Sequence, residues 1–178
     1  PELCRDDYVE NFVITDNIFK PKECAKIIKQ ARSVSLADAE VISRKQSVET
    51  SELKTNIRDS KIAFLDYDHQ DYFWIYEKIV PQFVSVNNKY FKFDIFGFQE
   101  SFQFSEYNAP CGHYDDHTDK LLRGNVRKLT VVIQLTDPRD YEGGDLQLML
   151  GGEPFSVPKK QGSMVVFPSY ILHRVTPT

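Results

Sequence analysis

Cysteine is scarce and scattered. Cys4, Cys24 and Cys111 are the only three in 178 residues; their odd number and wide spacing match neither a disulfide framework nor a Cys-x-x-Cys zinc motif. That usage suits a reducing compartment, so a cytoplasmic location is expected. No basic block occurs either: 22 Lys and Arg stand against 26 Asp and Glu, a formal net charge of −4. The cationic surface on which nucleic-acid binding relies is lacking, and no nucleic-acid partner is expected. Nowhere do the roughly 18 apolar residues needed to cross a bilayer run together, and the opening PELCRDDYVENF has neither the basic start nor the apolar stretch of an export signal. No membrane partner is expected. Internal repeats, linkers and low-complexity segments are absent as well.

What is present suits one soluble globular unit over 1–178: 41% hydrophobic, 27% charged, and an aromatic share of 13% that favours pleated surfaces. Phe12-Val13-Ile14 reads as a short strand. In PKECAKIIKQARS, Cys24, Ile27, Ile28 and Ala31 recur at helical spacing. Asp16 or Asn17 is expected to cap that helix, with Pro21 in its first turn. From Ala37 to Thr55 polar residues dominate without periodicity, which predicts a loop able to order over a site. A second helix is predicted from His69 to about Asn87, kinked at Pro81. Beyond Asn88, short apolar runs predict strands over Tyr90–Phe98, Glu100–Phe104, Leu129–Leu135, Asp145–Leu150, Pro154–Val157 and Met164–Phe167. Helical support to about residue 88 followed by many strands over 89–178 gives an α+β class.

The chemistry concentrates in HYDDHTD, residues 113–119, which holds two of the four histidines among three carboxylates. Residues two apart on an extended segment point to one side, so His117 and Asp119 can converge on one ion. His173, just after the apolar run Met164–Phe167, is the best third partner. Two histidines and one carboxylate on one face of a metal form the facial triad of non-haem Fe(II) oxygenases. His113 with Asp115 has the same spacing, and a catalytic zinc with bound water uses the same ligand types, so a zinc-dependent hydrolase stays open. The bland reading is an acidic loop stitched by its own hydrogen bonds.

Six blocks in order carry a resemblance: Tyr107 through Gly112 and His113 to Asp119, then Arg127-Lys-Leu-Thr130, Leu135-Thr-Asp-Pro138, Tyr141-Glu-Gly-Gly-Asp-Leu146, Gly162 to Ser169, and Leu172-His173-Arg-Val-Thr-Pro177. From about Phe102 onward the chain resembles a prolyl 4-hydroxylase-like oxygenase of the bacterial and phage PKHD type. The resemblance implies a double-stranded β-helix, or jelly roll, with N-terminal helices packed on one sheet. It implies Fe(II) held by His117, Asp119 and His173, and 2-oxoglutarate as co-substrate, with ascorbate in support. By the same resemblance Tyr107 faces the co-substrate, Leu146 and Val175 line its pocket, and Gln134 lies near its far carboxylate. Each also reads as ordinary core or strand.

The implied reaction hydroxylates a peptide or protein side chain, proline by analogy, as 2-oxoglutarate loses CO₂ to give succinate. Substrate recognition falls to the Ala37–Thr55 segment, to Tyr114, and to Lys120–Arg127, with Arg127 as a binding residue and Arg123 read as solvated. One departure stands out. Relatives hold the far carboxylate with a basic residue on the strand after the second histidine, and this sequence stops at Thr178, five residues past His173. The expectation is a continuation carrying an Arg or Lys, because a buried carboxylate needs a cation. The alternative is an internal anchor such as Arg127 or Lys128. Without any anchor, a non-catalytic jelly-roll binding module is the rival reading.

Overall fold

In a computed structural model of the chain, the described residues are 10–34, 36–39, 41–45, 48–52, 56–98, 100–120 and 126–178. In chain order the elements are β1 (Val13–Thr15), α1 (Pro21–Ser33), β2 (Ala37–Asp38), β3 (Val41–Lys45), β4 (Val48–Glu52), β5 (Arg58–Asp59), β6 (Lys61–Leu65) and α2 (Phe73–Val86). They continue as β7 (Phe102–Glu106), β8 (His113–His117), β9 (Leu129–Ile133), β10 (Leu146–Leu148), β11 (Phe155–Ser156), β12 (Met164–Pro168) and β13 (His173–Val175). Among the described residues every strand pairing is antiparallel. With two long helices, the class is α+β as expected. Among the described residues no helix is long and apolar enough to cross a membrane.

Helix α1 forms where its periodicity predicts, burying Cys24, Ile27 and Ala31 on one face. Its cap differs from expectation. Asp16 and Asn17 lie too far upstream of Pro21: Asp16 pairs with Lys160 at 2.7 Å, and Asn17 sits at a φ of 61°. The Glu23 carboxylate instead accepts the Lys20 backbone N–H at 2.8 Å, where an acid also suits the helix dipole. Helix α2 starts at Phe73 rather than His69, which lies in the preceding turn with its ring stacked on Tyr72. Pro81 is accommodated inside the helix.

Two expectations fail. The predicted strand Tyr90–Phe98 does not form. Asn87–Phe91 makes a π-turn closed by left-handed Lys92, and the Asn87 amide then grips both the N–H and the carbonyl of Phe93 at 3.0 and 2.8 Å, taking polar groups a ladder would need. The predicted loop Ala37–Thr55 contains β2 and a hairpin of β3 on β4, in register from Val41 opposite Glu52 to Lys45 opposite Val48. Strand pairing between neighbours overrode the weak periodicity there. Residues 40, 46, 47, 53–55 and 121–125, Arg123 among them, lie outside the described residues.

Strand β12 explains how two cores share one sheet. All five of its residues are buried, so it reads as an unbroken apolar run rather than an alternation. Met164 and Val166 face the core built with α1 and α2, while Val165 and Phe167 face a second core with Leu148, Val157 and Ile171. Around β12 the order is β1-β12-β9. A second three-stranded sheet runs β2-β6-β7, and a five-stranded sheet runs β11-β10-β13-β8-β5. Strands from the first half thus enter sheets of the second, β1 on β12 and β5 on β8. Strands β7 and β9, each last in its sheet, both line a cavity of about 1880 Å³. Gly143 packs against the last residues of the described chain: at a φ of +68°, a Cβ there would sit 2.0 Å from the Pro177 carbonyl oxygen.

Candidate metal centre

Strands β8 and β13 pair so that His117 and His173 lie directly opposite each other. Directly opposed residues of an antiparallel pair share a face, and here their ring centroids are 4.2 Å apart. Asp119 follows two residues after the end of β8. Its Oδ1 is 4.0 Å from His117 Nε2, and its Oδ2 is 3.6 Å from His173 Nε2. One ligand atom from each of the three lies within 4.8 Å of the others. His113 stays outside this group. Its Nδ1 faces the Cys111 carbonyl at 2.8 Å, and its Nε2 is 3.8 Å from Asp115.

Second contacts aim the ligand atoms. His117 Nδ1 donates to the Asp115 carbonyl at 2.7 Å and His173 Nδ1 to the Ile171 carbonyl at 2.9 Å. A carbonyl can only accept, so each Nδ1 carries a proton, and in the neutral ring each Nε2 then presents its lone pair to the centre. Thr130 Oγ1, on β9, donates to Asp119 Oδ2 at 2.8 Å and fixes the carboxylate. Burial, and then the neighbouring His173, lower the His117 pKa from its ordinary value to about 4, so the imidazole is neutral at neutral pH. Two imidazoles and one carboxylate, all converging on one point, fit a divalent first-row metal that keeps open positions.

The other expected site residues gather round the same cavity, which Tyr107, Gln134, Leu146 and Val175 all line. Leu146 and Val175 are a cross-strand pair of β10 and β13. The Gln134 amide donates to the Tyr141 hydroxyl at 2.8 Å and to the Thr136 carbonyl at 3.0 Å. Burial pushes the Tyr107 pKa up, opposed by the nearby Arg58 guanidinium, so this phenol stays protonated. Arg127 and Lys128, the internal candidates for a carboxylate anchor, are engaged elsewhere. Arg127 pairs with Glu100 at 2.5 Å, and Lys128 donates to the Asp94 carbonyl.

Arg58 is the residue that sequence reasoning missed. It is buried at 7% exposure, opposite Tyr114 in the β5–β8 pair, with its guanidinium 4.5 Å from the Tyr114 ring centroid. Among the described residues no carboxylate pairs with it; Ser60 and Ser105 hydroxyls take its N–H groups at 2.9 and 3.5 Å. The alternation Arg58-x-Ser60-x-Ile62 before an apolar run was the available signal.

Two histidines and one carboxylate converging beside a cavity on an antiparallel β scaffold are the ligand types and arrangement that non-haem Fe(II) oxygenases use. Residues 102–178 match the family model of the 2OG-Fe(II) oxygenase superfamily. Similar curated proteins include a PKHD-type hydroxylase of Azoarcus sp. (strain BH72), 39% identical over 80 residues that are 42% of this chain and 35% of the relative. Another is a PKHD-type hydroxylase of Synechococcus sp. (strain CC9311), 40% identical over 36% of this chain and 30% of the relative. The chain spans about a third of the length of these curated relatives. Its fold is that of a Pseudomonas putida prolyl-4-hydroxylase, with a TM-score of 0.71 over 94% of this chain and 86% of that one at 20% identity. A prolyl hydroxylase from Trichoplax adhaerens, solved with a hypoxia inducible factor peptide fragment, gives 0.71 over 94% of this chain and 77% of that one at 18% identity.

Proposed function

We propose that the protein is an Fe(II)- and 2-oxoglutarate-dependent dioxygenase that hydroxylates a peptide or protein side chain, proline being the favoured target. The observation that carries this reading is the convergence of His117 Nε2, Asp119 and His173 Nε2, with both Nδ1 atoms held by backbone carbonyls. His117, Asp119 and His173 would hold the iron. When bound, the metal and its co-substrate supply the oxidising chemistry that no side chain of this chain has. The chain's own share is to bind, orient and shield. Tyr107, Gln134, Leu146 and Val175 would surround 2-oxoglutarate, and Tyr114 and Arg127 would meet the substrate where the cavity opens. We read the sheets as a double-stranded β-helix, β8, β10, β11 and β13 forming one side and β9 and β12 contributing to the other. Proline rests on likeness to proteins named as prolyl hydroxylases and on the peptide bound to one of them.

The test is to load the protein with Fe(II) in air and supply 2-oxoglutarate with a library of proline-containing peptides. Succinate release should accompany the gain of one oxygen atom by a peptide, seen by mass spectrometry. Iron binding with neither 2-oxoglutarate binding nor succinate release would overturn the oxygenase reading.

A further inference from the structure

We propose that Tyr114, held flat by Arg58, is a positioning residue that fixes the ring plane of His117 in the metal centre; this rests on the reading of His117, Asp119 and His173 as metal ligands. Tyr114 and His117 are three residues apart on β8, a spacing that would place them on opposite faces of a regular strand. The partner strand shows why they are not. His173 pairs with His117 and Val175 with Tyr114, so two steps on β13 span three on β8, and the extra residue is a β-bulge. A bulge re-aims the side chains on either side of it. Here it brings the Tyr114 ring onto the His117 imidazole, with centroids 3.5 Å apart and planes 17° from parallel.

Besides the imidazole stacked on it, the phenol ring carries the Arg58 guanidinium over it, 4.5 Å from the centroid. Guanidinium stacking of this kind is favourable and flat, which an ammonium cannot reproduce. Arg58 is itself held by its burial and by Ser60 and Ser105. The need for such a clamp differs between the two histidines. His173 is 4% exposed and wedged against the edge of Phe167, so the core orients it. The His117 side chain is 17% exposed, and its bond to the Asp115 carbonyl fixes one ring atom while leaving a pivot about that bond. A flat surface at van der Waals distance removes the pivot and keeps Nε2 aimed at the centre.

The experiment uses Co(II) as the probe, titrated into the full chain and followed by calorimetry and by the visible ligand-field bands, with thermal unfolding of each metal-free variant as a folding control. Partners that orient metal ligands are worth about 10- to 100-fold in affinity. Tyr114→Leu should therefore weaken Co(II) binding by about tenfold or more and alter the visible bands, while Tyr114→Phe, which keeps the ring, stays within about twofold. Arg58→Lys keeps the charge and loses the flat contact, and should weaken binding by about threefold or more. Parent-like affinity and bands in Tyr114→Leu or Arg58→Lys would overturn the proposal, as would an equal loss in Tyr114→Phe. Should Tyr114→Leu fail to fold, Arg58→Lys and Tyr114→Phe decide. His117→Ala separates the two levels: if the parent binds Co(II) no better than this variant, the ligand assignment itself fails.

Discussion

His117 and His173 stand directly opposite across β8 and β13, 56 residues apart in sequence and 4.2 Å apart by ring centroid. The register of two short strands therefore assembles the candidate metal centre, with Asp119 completing it from just past the end of β8.

Removing any one of the three should abolish succinate formation. His117→Ala, Asp119→Ala and His173→Ala each leave two ligands, too few to hold Fe(II) against water, and none of the three residues is a member of either hydrophobic core. His113→Ala, whose ring lies outside the cluster, should retain most activity. Turnover assays with circular dichroism as a folding control check this, and normal turnover by any one of the three would remove that residue from the ligand set.

The metal-free protein should lose stability as pH falls. His117 titrates near 4 when folded, below its ordinary value of 6.5, chiefly because burial disfavours the imidazolium. Above 6.5 neither state takes up the proton. Between 6.5 and 4 the unfolded chain does and the folded one does not, so stability declines across that window, by up to about 3 kcal/mol, and levels off below it. Urea midpoints of the chelator-treated protein at pH 7 and pH 4.5 measure the decline, which His117→Gln should flatten.

Thr130→Val should lower metal affinity by about tenfold, because the Asp119 carboxylate loses the donor that orients it. Folding stability should move by only about 1 kcal/mol, the net value of one hydrogen bond. Calorimetric titration with Co(II) beside a denaturant melt reads both quantities, and unchanged affinity would show that Asp119 needs no orienting partner.

Gly143→Ala should destabilise the protein by about 2 kcal/mol or more, since the added methyl meets the Pro177 carbonyl at 2.0 Å and the backbone is in a conformation alanine avoids. Gly152→Ala, where a Cβ would meet nothing within 4 Å, serves as the control and should change stability by less than about 0.5 kcal/mol. Equal melting temperatures for the two variants would refute the packing argument.

Part of this molecule follows from local sequence alone. Helix α1 is legible because Cys24, Ile27 and Ala31 repeat at 3.6 residues and Pro21 suits a first turn. Strands β9 and β12 announce themselves as apolar runs, because both faces of β12 are buried. His117 and Asp119 are legible as a pair, since two residues of extended chain suffice to bring them together. The Asn87 grip on Phe93 was not legible, because one side chain's hydrogen bonds outweighed an apolar run. Nor was the hairpin of β3 and β4, whose stability is a property of pairing rather than of either segment's pattern. The register that sets His173 against His117, the bulge that turns Tyr114 onto His117, and the placement of Arg58 beneath that ring were decided by tertiary structure. Each depends on which strand lies next to which, and a shift of one residue in pairing would send those side chains to the opposite face.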